Sequence, residues 1–76
     1  MVRAFITIKT TAGKSADLLE IIQEMNAVIE AHVVAGRYDI IVEAEGDEVY
    51  EVIHAVATDL NELDGVDDTR TYICLE

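Results

Sequence analysis

The chain has little of several residue types, and each shortage excludes a class of protein or site. Its single cysteine, Cys74, excludes an internal disulfide and a metal knuckle built from several cysteines. Because Cys74 lies in a final apolar strand, we expect a buried structural thiol and not a nucleophile. The longest apolar runs are triplets such as residues 40–42, which excludes a membrane span and a signal-peptide core. We therefore expect a soluble cytoplasmic protein.

Basic residues are also scarce. Sixteen acidic residues against five basic ones give a net charge of −11, and Lys9 and Lys14 are the only lysines. A surface this negative repels a phosphate backbone, so we expect no direct binding of nucleic acid. The acidity fits either adaptation to a high-salt, halophilic environment or a docking face for a basic partner. The spread of the carboxylates along the chain favours the first interpretation.

Size and composition predict one small domain that associates with itself. The 76 residues, 51% of them apolar, can form a single core near the lower size limit for independent stability. Domains this small usually gain stability by association. We therefore expect one domain over residues 1–76 that forms a homo-oligomer.

Hydrophobic periodicity predicts six elements. Alternating apolar residues predict strands, and apolar residues spaced by three and four predict amphipathic helices. We assign a strand at Val2–Lys9, a helix from an N-cap at Ser15 to about Asn26, a β-hairpin within 31–45, a helix over 48–62 after an N-cap at Asp47, and a strand at 69–75. In the second helix the predicted core positions are Val49, Val52, Ile53, Val56, Leu60 and Leu63.

The order of these elements predicts the fold. Strand, helix, strand, strand, helix, strand reads as two split βαβ units, which form an α+β ferredoxin-like sandwich with a four-stranded antiparallel sheet and two helices on one face. We place the hairpin in the middle of that sheet. Phe5, Ile41 and Tyr72 should lie on the face without helices, which predicts a dimer formed by packing two sheets together.

Residue combinations for catalysis or metal binding are sparse. Ser15 and Cys74 are poor candidates for a nucleophile activated by His32 or His54. The acidic residues of 43–48 and the two histidines show no close metal-ligand spacing, and the four isolated glycines form no phosphate loop. We therefore predict neither an enzyme nor a cofactor nor a metal site.

The hairpin turn is the one dense group of polar atoms between apolar strands. Gly36 is suited to a backbone position with positive φ, and the backbone groups of residues 35–39 (Ala35 to Asp39) can bind a small zwitterion. Arg37 offers a fork for a carboxylate, Asp39 a partner for an ammonium group, and Tyr38 an amphipathic wall. On the residues alone, a structural role stays open, in which Arg37 and Asp39 stabilise the turn and Tyr38 packs in the core.

The run V-V-A-G-R-Y-D-I-I-V-E-A at residues 33–44 carries a family resemblance, together with Gly-Val at 65–66 and Thr-Arg-Thr at 69–71. It resembles the C-terminal effector domain of the Lrp/AsnC family of amino-acid-responsive transcription regulators, the RAM domain, over the whole chain. The resemblance implies a ferredoxin-like domain that dimerises through its sheets and assembles into rings of dimers. It also implies an amino-acid effector bound between dimers near this hairpin.

Position by position, the resemblance implies that Gly36, Arg37, Tyr38 and Asp39 line the pocket, with Thr71 a further candidate. The chain begins directly with a strand, so we expect a stand-alone effector domain without a helix-turn-helix. Such a domain would bind an amino acid and co-assemble with full-length, DNA-binding Lrp/AsnC-type regulators. The alternative from another class is a structural interaction module that binds no small molecule.

Overall fold

The computed structural model describes residues 2–75, and for residues 55–57 it describes the backbone only. The strands are β1 (Val2–Thr10), β2 (Val28–Val33), β3 (Ile40–Gly46) and β4 (Val66–Ile73). Helix α1 (Ser15–Gln23) follows β1, and a second helical segment, 49–61, follows β3. This segment consists of α2 (Val49–Val52), a π-helix (Ile53–Thr58) and α3 (Asp59–Asn61).

The four strands form one antiparallel sheet in the order β2-β3-β1-β4, which confirms the predicted βαββαβ fold. The predicted place of the hairpin is wrong in one respect, since β2 lies at an edge and the two central strands are β1 and β3. The central strands carry the fully buried residues Ile6, Ile8, Ile40 and Val42, whereas β2 buries only Ala31. The most apolar strands therefore occupy the middle of the sheet, where one whole face lies under the helices.

Each helical segment buries two residues against the sheet as their spacing predicts. They are Leu18 and Ile22 in α1, and Val52 and Leu60 in the second helical segment. Val49 and Ile53, predicted in the core, are instead 44% exposed. Ile53 is the first residue of the π-helix, whose wider turn departs from regular helical spacing, whereas Val49 lies before it at the start of α2. The predicted core position Val56 lies outside the described side chains.

The predicted N-caps are wrong at both helices. The N-cap positions are Lys14 and Glu48, and neither side chain makes a capping hydrogen bond. At α1, a turn in which the Lys14 amide donates to the Thr11 carbonyl leads the chain into the helix one residue before the predicted cap position. Helix α1 also ends at Gln23, before the predicted Asn26.

Gly65 adopts φ +98° in the turn before β4, three residues after the C-cap Glu62 of α3. Its carbonyl accepts hydrogen bonds from the Thr11 amide at 2.8 Å and the Thr11 hydroxyl at 3.2 Å. This contact joins the start of β4 to the loop after β1. Cys74 follows the end of β4 and is half-buried, less shielded than predicted.

The face of the sheet away from the helices, here called the open face, has a mixed surface. Phe5, Ile41 and Tyr72 lie on it as predicted, with 39%, 37% and 57% of their surface exposed. An Arg3–Glu43 ion pair at 3.1 Å lies beside Phe5. Within residues 2–75, no helix is both long and apolar enough to cross a bilayer.

Candidate functional site

The predicted binding residues lie in the connection between β2 and β3, residues 34–39, here called the hairpin loop. The loop is closed at its base by the Val34 amide, which donates to the Asp39 carbonyl at 2.8 Å. The Asp39 amide donates to the Ile8 carbonyl at 2.9 Å and so extends the pairing of β3 with β1. Ala35 and Gly36 are exposed at the tip of the loop.

The positive φ expected at Gly36 is wrong. In residues 2–75, positive φ occurs only at Gly13 and Gly65. A loop of six residues, 34–39, reverses the chain without a left-handed residue at this position. A Cβ atom built on Gly36 would meet no atom within 4 Å, so this glycine is not required by crowding either.

Asp39 fixes the loop to the end of β1. Its Oδ2 accepts a hydrogen bond from the Thr10 amide at 2.8 Å and another from the Thr10 hydroxyl at 3.1 Å. The hydrogen bond from the Thr10 amide lowers the pKa of the Asp39 carboxyl, and this outweighs partial burial, which raises it; the Thr10 hydroxyl and Lys9 lower it further. Asp39 is therefore ionised at neutral pH, and one of its two oxygens has a structural partner.

Tyr38 connects the loop to β4. Its hydroxyl oxygen accepts a hydrogen bond of 2.9 Å from Nε of Arg70, a residue on the open face opposite Thr7 of β1. This bond, helped by Asp68 and Tyr72, raises the pKa of the Arg70 guanidinium further above its usual range. The Tyr38 side chain is half-buried and holds the loop against the open face.

Arg37 and the amides of the loop are free to bind a ligand. Arg37 is exposed, and the only ion pair within residues 2–75 is the one between Arg3 and Glu43. The backbone amides of residues 35–38 donate no hydrogen bond within the described part of the chain. A guanidinium and several unpaired amides on one exposed loop are donors suited to an anionic group such as a carboxylate.

Thr71 lies apart from the loop residues. It pairs with Ile6 in the β1–β4 register, which places it on the helix side of the sheet, whereas Arg70 is on the open face. A shallow groove along β4, lined by Asp68–Tyr72, includes Thr71. Within one protomer the structure therefore brings Ala35–Asp39 together and leaves Thr71 separate.

Three surface clefts of the described part of the chain lie away from the hairpin loop. Of those described, one is acidic and lined by Glu24, Glu45, Glu51 and Asp59 among others, and two run along the edge strands β2 and β4. Residues 35–37 at the tip of the loop are exposed, so a ligand held there would be open to solvent on one side within a single protomer.

The histidines show no sign of a metal site. His32 is exposed on β2, and His54 packs beside Tyr50 with a distance of 5.5 Å between the ring centroids. No group of three or more potential metal ligands occurs in the described residues.

Two contacts of the loop were missed from sequence, those with Thr10 and Arg70. Thr10 directly follows the first predicted strand, Val2–Lys9, and its side chain gives no signal of a distant partner. Arg70 could be paired with Tyr38 only once the strand order had placed β4 beside β1. The sequence contained these residues but not their contacts.

The comparisons with known proteins agree with this fold. A model of the Lrp/AsnC ligand binding domain matches residues 3–76. Among solved structures, FFRP-DM1 is 35% identical with a TM-score of 0.92, and the alignment covers 99% of this chain and 100% of that one. A hypothetical protein of Pyrococcus horikoshii, PHS023, is 34% identical with a TM-score of 0.91, over 100% of this chain and 92% of that one.

A more distant structure is that of a transcriptional regulator of Neisseria meningitidis, NMB0573, solved as a complex with L-Met. It is 22% identical with a TM-score of 0.84, and the alignment covers 99% of this chain and 50% of that one. At this identity the likeness concerns the fold. No curated protein matches the sequence.

Proposed function

The chain belongs to the Lrp/AsnC ligand-binding domain family, and from this premise we propose that it binds a free amino acid at the hairpin loop. The family is regulatory and not enzymatic, so the prediction that the chain is not an enzyme is confirmed. Binding and assembly are the activities that such a domain can contribute. The proposal has three parts, which are the bound amino acid, the homo-oligomer and the DNA-binding partner.

The observation that carries the proposal is the set of unpaired donors on the hairpin loop. Arg37 is exposed, and the amides of residues 35–38 have no acceptor among the described residues. These groups would bind the carboxylate of the effector, and the remaining Asp39 oxygen, Oδ1, would accept a hydrogen bond from its ammonium group. A distant relative was solved with L-Met, a ligand with this same pair of charges.

The site would be completed between protomers. Because residues 35–37 are exposed in one protomer, a second copy would supply the opposite wall, and Thr71 in the groove along β4 is the candidate residue of that wall. The open face, with Phe5, Ile41 and Tyr72, would form the dimer by packing against its equivalent. A ligand that contacts two dimers stabilises the assembly that brings them together.

The chain would act in the regulation of amino acid metabolism through DNA-binding partners. Its net charge of −11 opposes direct binding to DNA. Co-assembly with full-length Lrp/AsnC-type regulators would connect the effector to transcription by changing the size of the regulator's assembly.

Isothermal titration against each standard amino acid, at low and at high salt, tests the binding proposal directly. We expect one or a few amino acids to bind, and Arg37→Gln to weaken their binding about tenfold or more, because a charged hydrogen-bonding partner of the carboxylate is lost. Lys14→Gln is the matched control, since it removes an exposed positive charge outside the loop. Absence of binding by every amino acid at every salt concentration would refute the proposal.

A structural interaction module without a small ligand is the second candidate. The observation in its favour is that Tyr38 and Asp39 already have partners within the protomer, Arg70 and Thr10. In that case the loop would make protein contacts only. The mass of the assembly would then be the same with and without amino acids, whereas a sensor would change its mass or its dissociation constant.

A further inference from the structure

We propose that Arg70 couples the open face to the hairpin loop, so that covering this face with a second copy orders the loop and raises its affinity for a ligand. The inference rests on the proposed function for the existence of the ligand and of the dimer. It adds that Arg70 is the residue that connects the dimer interface to the ligand site, and that dimer formation strengthens ligand binding.

The first step concerns how the loop is held. Its base is fixed by the bond from the Val34 amide to the Asp39 carbonyl and by the contacts of Asp39 with Ile8 and Thr10. Beyond the base, the only hydrogen bond from the loop to the rest of the described chain is that between Tyr38 and Arg70. When it is formed, this bond therefore limits how far residues 35–38 can move from the sheet.

The second step concerns where Arg70 lies. It is exposed on the open face, directly opposite Thr7, which itself pairs with Ile41 on its other side. Arg70 therefore belongs to a row of residues that crosses the face predicted to pack against a second copy. Covering this face changes the surroundings of Arg70 without requiring any contact with the loop itself.

The third step concerns the strength of the bond. In the free protomer the bond is exposed, and water competes for the guanidinium and the phenol, so it contributes little. When a second copy excludes water, the lower dielectric strengthens a hydrogen bond from a charged donor. Arg70 keeps its proton at all ordinary pH values, so it remains a donor throughout.

The fourth step concerns an unused acceptor beside Arg70. The hydroxyl oxygen of Thr7 is buried and has no hydrogen-bond partner within residues 2–75. It lies across from Arg70 in the register of β1 and β4. A guanidinium has five N–H donors, so one Arg70 can bind Tyr38 and also turn a donor towards Thr7 when the face is covered.

The thermodynamic consequence is reciprocal. If dimer formation orders the loop through Arg70, less conformational entropy is lost when a ligand binds, and affinity rises. By linkage, ligand binding then strengthens the dimer by the same factor. One hydrogen bond of this type corresponds to a coupling of about threefold to tenfold.

The experiment compares wild type with Tyr38→Phe, Arg70→Gln and the double variant. NMR hydrogen exchange is followed at the Val34 and Asp39 amides, because both are hydrogen-bonded at the base of the loop. Exchange is measured above and below the dimer dissociation constant. An equimolar mixture of the twenty standard amino acids is the ligand probe, and circular dichroism verifies that each variant is folded.

We expect dimer formation to slow exchange of these amides about threefold to tenfold more in wild type than in either single variant. The double variant should lose no more of this dimer-dependent protection than either single variant, because both substitutions break the same contact. Arg3→Gln is the matched control, since Arg3 lies on the same face but contacts Glu43. In this variant, dimer formation should slow exchange at the loop as much as in wild type. Arg70→Lys, which keeps the charge but not the planar donor, should behave like Arg70→Gln.

The inference would be overturned if the Tyr38 and Arg70 substitutions reduced the protection of these amides additively in the double variant. It would also be overturned if an Arg70 variant behaved like Arg3→Gln, or if the wild-type chain stayed monomeric at every concentration. The two proposals fail separately. If no amino acid changes the exchange but concentration does so through Arg70, the coupling stands and the amino-acid proposal fails. If amino acids bind and Arg70→Gln changes nothing, the binding proposal stands and the coupling fails.

Discussion

One carboxylate oxygen of Asp39 binds both the amide and the hydroxyl of Thr10, at 2.8 and 3.1 Å. The contact joins the last residue of β1 to the residue before β3, at the end of the sheet that carries the hairpin loop. A residue predicted as a ligand-binding group is thus also part of the framework that holds the loop. Its substitution therefore has to be interpreted for stability before it is interpreted for binding.

Asp39→Asn should destabilise the chain at neutral pH, and the difference from wild type should shrink in acid. The folded state lowers the pKa of Asp39 below its ordinary 3.8, so this stabilisation is fully present above the ordinary value. It is lost as pH falls through the lowered value. Urea unfolding of both proteins from neutral pH down to about pH 2 measures the effect.

Asp67→Asn is the control for this pH dependence, because Asp67 is an exposed aspartate of β4. Its unfolding free energy should remain close to that of wild type at neutral pH. A constant difference between Asp39→Asn and wild type at all pH values would show that the ionised carboxylate contributes nothing through Thr10.

Gly46→Ala should destabilise the fold, whereas Gly36→Ala should not. A Cβ atom on Gly46 would lie 2.9 Å from Cγ2 of the buried Val52, so the core would have to shift, at a cost of about 1–3 kcal/mol. At Gly36 no atom lies within 4 Å, and φ is not positive. There alanine should be neutral or stabilise by up to about 1 kcal/mol through the unfolded state. Equal unfolding midpoints in urea for the two variants would contradict this prediction.

Phe5→Glu should weaken self-association if the open face forms the dimer. A carboxylate at position 5 would lie opposite that of Glu43 and would lose its water when two sheet faces pack, so the dimer dissociation constant should rise at least about tenfold. Ile21→Glu is the matched control, because Ile21 is 47% exposed, compared with 39% for Phe5, but lies on α1. Sedimentation equilibrium measures both, and equal dissociation constants would place the dimer interface elsewhere.

Salt should stabilise this chain more than it stabilises an ordinary domain. The net charge is −11, and within residues 2–75 only Glu43 forms an ion pair, with Arg3, so most carboxylates repel one another without compensation. Raising KCl from about 0.1 M to about 1 M shortens the screening length from about 10 Å to about 3 Å. The melting temperature should therefore rise.

The control for the salt experiment is a variant with fewer negative charges at exposed positions, such as Glu20→Gln with Glu24→Gln. Its melting temperature should depend less on KCl than that of wild type. A melting temperature that is independent of KCl in wild type would exclude self-repulsion as a significant term and would weaken the halophilic interpretation.

Much of the fold followed from local pattern. The alternation of β1 and the spacing of Leu18 and Ile22 predict both the elements and their buried faces, because burial on one side of a strand or helix imposes a period on the sequence. The open-face positions of Phe5 and Tyr72 followed from the same alternation. These features depend on near neighbours in the chain.

The errors arose where distant contacts decide the conformation. Ile53 is exposed at the start of the π-helix despite its helical spacing, and the six-residue hairpin loop gives Gly36 no left-handed conformation. The bonds of Asp39 to Thr10 and of Tyr38 to Arg70 join residues 29 and 32 positions apart. Residue preferences do not encode such pairings, which become apparent only when the order of the strands is known.

The π-helical turn Ile53–Thr58 also predicts how homologous sequences differ in length. A turn closed by i→i+5 hydrogen bonds accommodates one residue more than an α-helical turn between the same two ends. We therefore expect that an insertion or deletion of a single residue in this turn would leave the strands on either side, β3 and β4, in place. In an alignment of homologous sequences, a one-residue gap would be expected within this turn, and shorter homologues would have an uninterrupted α-helix.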